Sequence, residues 1–366
     1  MRHPIERGLP IVVKIGSSSL TTSGGLIDEE AIDRVASQIA WLRHAGHPAV
    51  LVSSGAVAAG LPALGVVERP GDLPGLQAAA AVGQSKLIER YSQVFAKHDL
   101  VVGQVLLTRD VLAGREPHLH ARAALERLLS LGVIPIVNEN DTVMVDELRF
   151  GDNDRLAAIV SHLVNAGLLI ILTDTPGLYA HDPRLVAEPE LLNAIRHTDE
   201  VLDGLHSNTG GGTYGSGGVA TKVAAARMAA FSGIPTVVVG AVEQDAVRQA
   251  VSGADVGTWV EPRASGLGAR RLWIAFSLPS LGVLTIDDGA VTALVDDGRS
   301  LLAAGVVEVK GDFSRGQAVE IQDESDRLIG KGLAGLAGST LREVLGRHTS
   351  IAGGAAIHRD DLILLV

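Results

Sequence analysis

Ile11-Val-Val-Lys-Ile-Gly-Ser-Ser-Ser19 is a short apolar run interrupted by one lysine and closed by a Gly/Ser turn. Ile11–Val13 are β-branched and continuously apolar, as in a strand covered on both faces. Lys14 then emerges where the strand gives way to a turn running toward a helix. Backbone N–H groups in such a turn, with hydroxyls and a positive charge, suit an anionic group. The spacing G-x-x-x-x-G-K-[ST] of a P-loop is missing here and elsewhere in the chain. The competing reading of Lys14 is a side chain snorkelling at a strand end.

The same pattern repeats outward from this stretch. Ala49–Val52, Val101-Val102 with Val105–Leu107, Val133–Val137, Leu168–Leu172 and Thr236–Val239 are further candidate strands. Helical patterns lie between them. Asp28 caps a helix carrying Ala31, Ile32, Val35, Ile39 and Leu42, which stops at Gly46. Others run over 76–98, 122–131, 154–166 and 220–231. This alternation predicts an α/β fold, a three-layer αβα sandwich around a mostly parallel sheet. Ligands of such sheets sit at the C-terminal strand ends.

Past residue 260 the pattern changes. Residues 261–271 are rich in Gly, Pro and Arg, and beyond Leu281 short strands carry turn signals at Asp287-Asp-Gly289, Asp296-Asp-Gly298 and Lys310-Gly-Asp312. The expected organisation is a catalytic domain over 1–262, a linker over 263–280 and a small β-rich barrel or sandwich over 281–366.

Composition removes whole classes of function. The 366 residues hold no cysteine, which excludes disulfides, thiolate metal sites and cysteine nucleophiles. The net charge of -11 gives no general pull on nucleic acid or anionic lipid. Apolar runs stay far below the ~20 residues that span a bilayer, and no apolar leader stretch follows Met1, so a cytoplasmic location is expected.

Four more stretches carry candidate chemistry. Val52-Ser-Ser-Gly-Ala-Val-Ala-Ala-Gly60 is again strand to Gly/Ser turn to helix. It lacks a G-x-S-x-G elbow, so Ser53 and Ser54 read as turn residues or as substrate contacts. Ile136-Val-Asn-Glu-Asn-Asp-Thr142 and Phe150-Gly-Asp-Asn-Asp154 place two Asn/Asp clusters within about one loop. Carboxylates there suit Mg²⁺, which prefers oxygen ligands shared with phosphates, and Asn side chains suit amino or carboxyl groups. Both residue types are also ordinary loop formers. Leu172-Thr-Asp-Thr-Pro-Gly-Leu-Tyr179 ends a strand at Thr173-Asp174. Thr213-Tyr-Gly-Ser-Gly-Gly-Val-Ala-Thr-Lys222 is a glycine-rich loop leading into a helix with Thr221-Lys222 in its first turn, a phosphate cradle rather than a plain linker. His118-x-His120 lacks a third ligand nearby and reads as solvent-facing.

Together these stretches resemble the amino acid kinase family over about residues 8–260, and within it the branch acting on glutamate. The motifs are VVKIGSSSL, VSSGAVAAG, AAVGQSKL, GQVLLTRD, PIVNENDTV, FGDNDRLAA, LLIILTDTPGLYAHDPR and GSGGVATKVAAA. Residues from about 281 to 360 look like a PUA domain. Ser216 and Val219 stand where many relatives have Thr and Met, and Arg149 where lysine is frequent.

The resemblance implies phosphorylation of the L-glutamate side-chain carboxylate by ATP with Mg²⁺, the first step of proline biosynthesis. It implies Lys14 and Lys222 on the phosphoryl oxygens. Asp174 is expected to orient both lysines or sit by the nucleotide. Gly16, Thr173, Ser216, Gly217, Gly218, Val219, Ala220 and Thr221 line the rest of the nucleotide site. Ser54, Asp141 and Asn153 hold glutamate. By their chemistry Asp141 suits the α-ammonium and Asn153 the α-carboxylate, while Asp152 and Asp154 are candidates for Mg²⁺ contact. Proline is the expected inhibitor, overlapping the glutamate site. Handover of product to glutamate-5-phosphate reductase and homo-oligomerisation through the kinase domain are also expected. PUA domains often bind RNA, but 8 Lys+Arg against 13 Asp+Glu over 281–366 argue against phosphate-driven binding of RNA by this one.

Overall fold

The strand that carries Lys14, β1 (Ile11–Ile15), is buried throughout and lies in the interior of an eight-stranded sheet. The computed structural model describes residues 2–22, 24–108, 115–143, 152–181, 188–196, 218–264, 271, 274–275, 278–345 and 354–366. Its chain divides into two compact units, Met1–Gly266 and Leu267–Val366.

In the first unit the strands β1, β2 (Ala49–Val52), β3 (Val102–Leu107), β4 (Ile134–Glu139), β5 (Leu168–Thr173), β6 (Ala194–Arg196), β7 (Thr236–Gly240) and β8 (Thr258–Glu261) run in the order β3-β4-β2-β1-β5-β7-β8-β6. The described pairings are parallel except β7 with β8. Helices cover both faces. Against one lie α2 (Glu29–His44), which follows the short α1 (Ser17–Leu20), and α4 (Leu73–Ala96). Their Ile32, Val35, Ile39, Leu87, Tyr91 and Phe95 bury Ile11, Val13, Leu51, Ile136 and Ile170. The opposite side chains of the same strands, such as Val12, Val50 and Leu169, are equally buried. Continuous apolar runs are the sequence trace of this two-sided covering.

The expected elements form with shifted ends. Asp28 accepts the Ala31 amide at 3.1 Å and Gly46 turns the chain at φ +90°, as the capping pattern requires. β6 and β8 escaped the sequence reading. One is three residues long and the other ends in Glu261, so neither presents an apolar run. β3 departs in the opposite sense. It is an edge strand with a mixed burial pattern, and Val101, read as its start, is 66% exposed.

The second unit is a six-stranded sheet, β9 (Gly282–Ile286), β10 (Leu301–Leu302), β11 (Val306–Gly311), β12 (Ala318–Asp323), β13 (Leu328–Ala334) and β14 (Ala355–Leu364), in the order β10-β14-β13-β12-β9-β11. Leu284, Ile286, Leu294, Val319, Ile321, Leu341 and Ile357 build its core. Asp287-Asp-Gly289, read as a turn, begins a helix instead (Asp288–Val295), with Asp287 accepting the Ala290 amide at 2.7 Å. Ile274 and Ala275, inside the stretch read as linker, are buried against Ile363.

Candidate active site

β1, β2, β4 and β5 are neighbours in the sheet, and Lys14, Ser54, Asp141, Thr173 and Asp174 stand at or just beyond their C-terminal ends. Lys14 does not snorkel. It is 3% exposed, and its Nζ lies 2.6 Å from Asp154 Oδ1. Gly16 leaves space for that ammonium, since a Cβ there would stand 3.2 Å from Lys14 Nζ.

Asp154 comes from the first turn of a helix over Asp152–Leu163, and its carboxylate is 1% exposed. A second helix, Val219–Phe231, begins at the cap residue Gly218 and brings Thr221 and Lys222 to the same carboxylate. Thr221 Oγ1 donates to Asp154 Oδ2 at 2.7 Å, and Lys222 Nζ lies 3.8 Å from that oxygen. Two lysines 208 positions apart thus meet on one acid.

Burial opposes ionisation of Asp154, but the two ammoniums and the hydrogen bonds from Lys14 and Thr221 outweigh it, and its pKa falls below the usual carboxylate value. Burial lowers the pKa of Lys222, and Lys14 adds to the effect. Asp154 and Asp174 oppose it. An effective charge clamp results, dry enough that each charge is felt strongly by the next.

Asp154, read as a Mg²⁺ contact, has its oxygens engaged by Lys14, Thr221 and Lys222, and Asp174 acts on Lys222 through its charge as well. Asp174 is exposed and accepts from Thr173 Oγ1 at 3.0 Å. No cluster of three or more potential metal-ligating His, Asp or Glu occurs among the described residues. The Asp152 side chain, Arg149, Ser216 and Gly217 lie outside the described residues.

Beside the clamp runs a chain of amides. Asn153 Nδ2 donates to Ser54 Oγ at 3.0 Å and to Asn138 Oδ1 at 3.1 Å. Asn138 Nδ2 donates to Gln84 Oε1 at 2.8 Å. The structure thus brings Ser54 and Asn153 into contact. It adds Asn138 and Gln84, which the sequence reading left without a role. Asp141 starts a short 3-10 turn, Asp141–Val143, packed against α4. Asn153 also departs from expectation. Both its amide hydrogens are used within the protein, so its remaining Oδ1 is an acceptor and suits an ammonium rather than a carboxylate.

Helix packing brings Gln84 there. The helix α3 (Ala56–Gly60) lies against α4 with almost no separation. A Cβ on Gly83 would stand 1.7 Å from the Ala56 carbonyl oxygen, and one on Gly60 would stand 1.9 Å from that of Ala79. Gly55, at φ +92°, turns the chain from Ser54 into α3. Away from this site, His118 lies with its ring 6.2 Å from His162 rather than standing alone in solvent. Burial, together with His118 and Arg122, lowers the His162 pKa to about 4.

The amino acid kinase family model matches residues 10–240, and the PUA domain model matches residues 282–351.

The chain belongs to the amino acid kinase family.

Its curated relatives include proteins named glutamate 5-kinase. That of Marinomonas sp. (strain MWYL1) is 44% identical over the whole of both chains, and that of Azoarcus sp. (strain BH72) is 45% identical, also over both whole chains. The Streptomyces coelicolor protein of the same name is 43% identical, with 100% of this chain and 98% of the relative covered. Among solved structures, a carbamate kinase from Giardia lamblia bound to AMP-PNP aligns with a TM-score of 0.52 at 16% identity, covering 70% of this chain and 99% of that one. This likeness concerns the fold. In this chain the lysine–aspartate clamp is formed by β1 and two helix N-terminal turns.

Proposed function

We infer that the protein phosphorylates the side-chain carboxylate of L-glutamate with ATP, giving L-glutamate 5-phosphate, the first step of proline biosynthesis. The observation that carries this reading is the convergence of Lys14 and Lys222 on Asp154 beside a chain of buried and half-buried amide side chains. Full-length relatives named glutamate 5-kinase agree with it.

The chemistry needs no general base. A glutamate carboxylate, with a free pKa near ~4.3, is ionised at neutral pH. The task is to bring two anions together and to stabilise an in-line transfer. Asp154 holds both ammonium groups in place. Lys14 and Lys222 neutralise charge on the transferring phosphoryl group, and the helix N-terminus at Gly218, Val219 and Ala220 supplies N–H groups. Gly16, Thr173 and Asp174 flank the nucleotide. Ser54, Asp141 and Asn153 hold glutamate, with Asn153 facing its ammonium. Mg²⁺ belongs to the nucleotide's phosphates, which suits an ion that keeps waters and shares few protein carboxylates.

Proline acts as the inhibitor at the glutamate end of the pocket. The product is a reactive acyl phosphate, passed to glutamate-5-phosphate reductase. The kinase unit forms the homo-oligomer, and the enzyme works in the cytoplasm. Among the described residues no helix is long and apolar enough to cross a membrane.

The test is an ATP-dependent hydroxamate assay, in which hydroxylamine traps the acyl phosphate. Glutamate is expected to give hydroxamate, with aspartate and N-acetylglutamate far behind. Equal or greater product with either rival acid, or none with glutamate, would end the reading.

A further inference from the structure

We propose that Gln84 is a substrate-binding residue whose side-chain Nε2 donates to the α-carboxylate of the amino-acid substrate. The inference rests on the glutamate reading of the site and extends it to a residue that its motifs did not assign.

The polarity of the amide chain is fixed by one backbone group. The Glu139 N–H donates to Asn138 Oδ1 at 2.9 Å, and a main-chain N–H can only donate. Asn138 Nδ2 must therefore be the donor in its 2.8 Å contact with Gln84, which makes the contacting Gln84 atom Oε1. The Gln84 Nε2 is left over. On the other side, Asn153 must donate to Asn138 Oδ1, which leaves Asn153 Oδ1 over. Both leftover atoms are buried and have no hydrogen-bond partner among the described residues. One connected network thus ends in a free donor and a free acceptor. Those are the two groups that an α-amino acid requires, one for its carboxylate and one for its ammonium.

Gln84 has no evident packing reason to be polar. It occupies the buried face of α4 with Ala80, Leu87, Tyr91 and Val94, where an apolar side chain of similar volume would fit the stripe. A buried donor without a partner is costly, and the cost disappears once a ligand accepts from it. The backbone-to-backbone contact of Gly83 with α3 fixes the residue immediately before it, so the donor is held by the scaffold.

Position selects the α-carboxylate over the reacting one. Asn138 stands at the end of β4, and Lys14 belongs to β1, two strands away through β2. Two strand spacings amount to roughly 10 Å. The carboxylate that meets the lysines therefore lies at the β1 end of the pocket, and Gln84 serves the other.

Gln84→Met keeps the volume and removes the donor. Gln84→Glu keeps the shape and an oxygen for Asn138 but sets a carboxylate against the substrate. In the hydroxamate assay each is expected to raise KM for glutamate roughly 10- to 100-fold, the range for a lost hydrogen bond to a charged group. KM for ATP and kcat should stay within about threefold. A glutamate KM unchanged in both variants overturns the proposal. So does a parallel loss of kcat, ATP affinity and thermal stability, because that pattern marks a structural role. Wild-type enzyme inactive on glutamate would instead overturn the substrate reading on which the proposal rests.

Discussion

The two units of this chain bury charge in different ways. In the first, Lys14, Asp154 and Lys222, each less than a tenth exposed, are drawn together from a strand end and two helix starts. In the second, the buried cation Lys331, on β13, reaches the main-chain carbonyl of Leu278. Burying any charge is expensive. Where a lysine satisfies a carbonyl, its role is to fasten a segment to the sheet. Where two ammoniums share one carboxylate, with Asp174 acting on Lys222 as well, opposite charges are grouped tightly and largely out of water. In the first unit the buried charges are grouped across three segments of the chain.

The largest effect should come from breaking that grouping. Asp154→Ala leaves two buried ammoniums without their shared partner, and about 3–5 kcal/mol of stability should be lost, read by urea unfolding. The pH dependence has a defined sign. The folded-state pKa of Asp154 is lowered, so its stabilisation is present above the unfolded carboxylate value and is lost as pH falls through the lowered one.

Next comes Lys222→Ala. If Lys222 acts like a lost oxyanion donor, kcat should drop on the order of 10²–10³-fold while the fold persists. An almost fully active variant would break the contrast between the units. The lowered pKa of Lys222 adds a second readout. The alkaline fall of kcat/KM should begin below the ordinary lysine value of about 10.4.

Gly83→Ala should be milder in stability and still felt at the pocket. Its Cβ would meet the Ala56 carbonyl oxygen at 1.7 Å, so α3 and α4 must move apart. Overpacking of this kind costs typically about 1–3 kcal/mol, read as a lower unfolding temperature. Glutamate KM should rise with it, because Gln84 moves. The smallest effect is expected from Lys331→Met in the second unit, where an apolar stem replaces a buried cation of similar length. Stability should change by about 1 kcal/mol or less in either direction, and kcat/KM should not change. A large loss of turnover would show that the second unit's buried charge serves catalysis after all.

Much of the first unit could be read before any coordinates. Its central strands are continuously apolar because both faces are covered, and its helices carry their caps in sequence, as Asp28 and Gly46 show. Two elements hid for the same physical reason reversed. β6 is short and β8 is polar at an end, so the apolar signal that marks a buried strand is absent, and in the half-exposed edge strand β3 it is broken enough to shift the start. In the site, Lys14, Lys222, Ser54 and Asn153 stood out because a charged or polar residue interrupts a glycine turn at an element's end. Gln84 did not, since one glutamine in a helix looks like any solvent-facing one until the buried face of α4 is known. The turn signal at Asp287 misled for a related reason, because an Asp-Gly pair serves a cap as readily as a turn.

By itself, then, the amino-acid order determined which segments become strands and helices, that they alternate, and which residues stand at their ends. These are local properties, set by backbone preference and by the spacing of apolar side chains. Only the tertiary structure decided that Asp154 meets both lysines, and that Asn153 is left with an acceptor and Gln84 with a donor. Ion pairing and hydrogen-bond polarity depend on distances between segments far apart in the chain. Those distances are set by strand order and by how closely two helices approach.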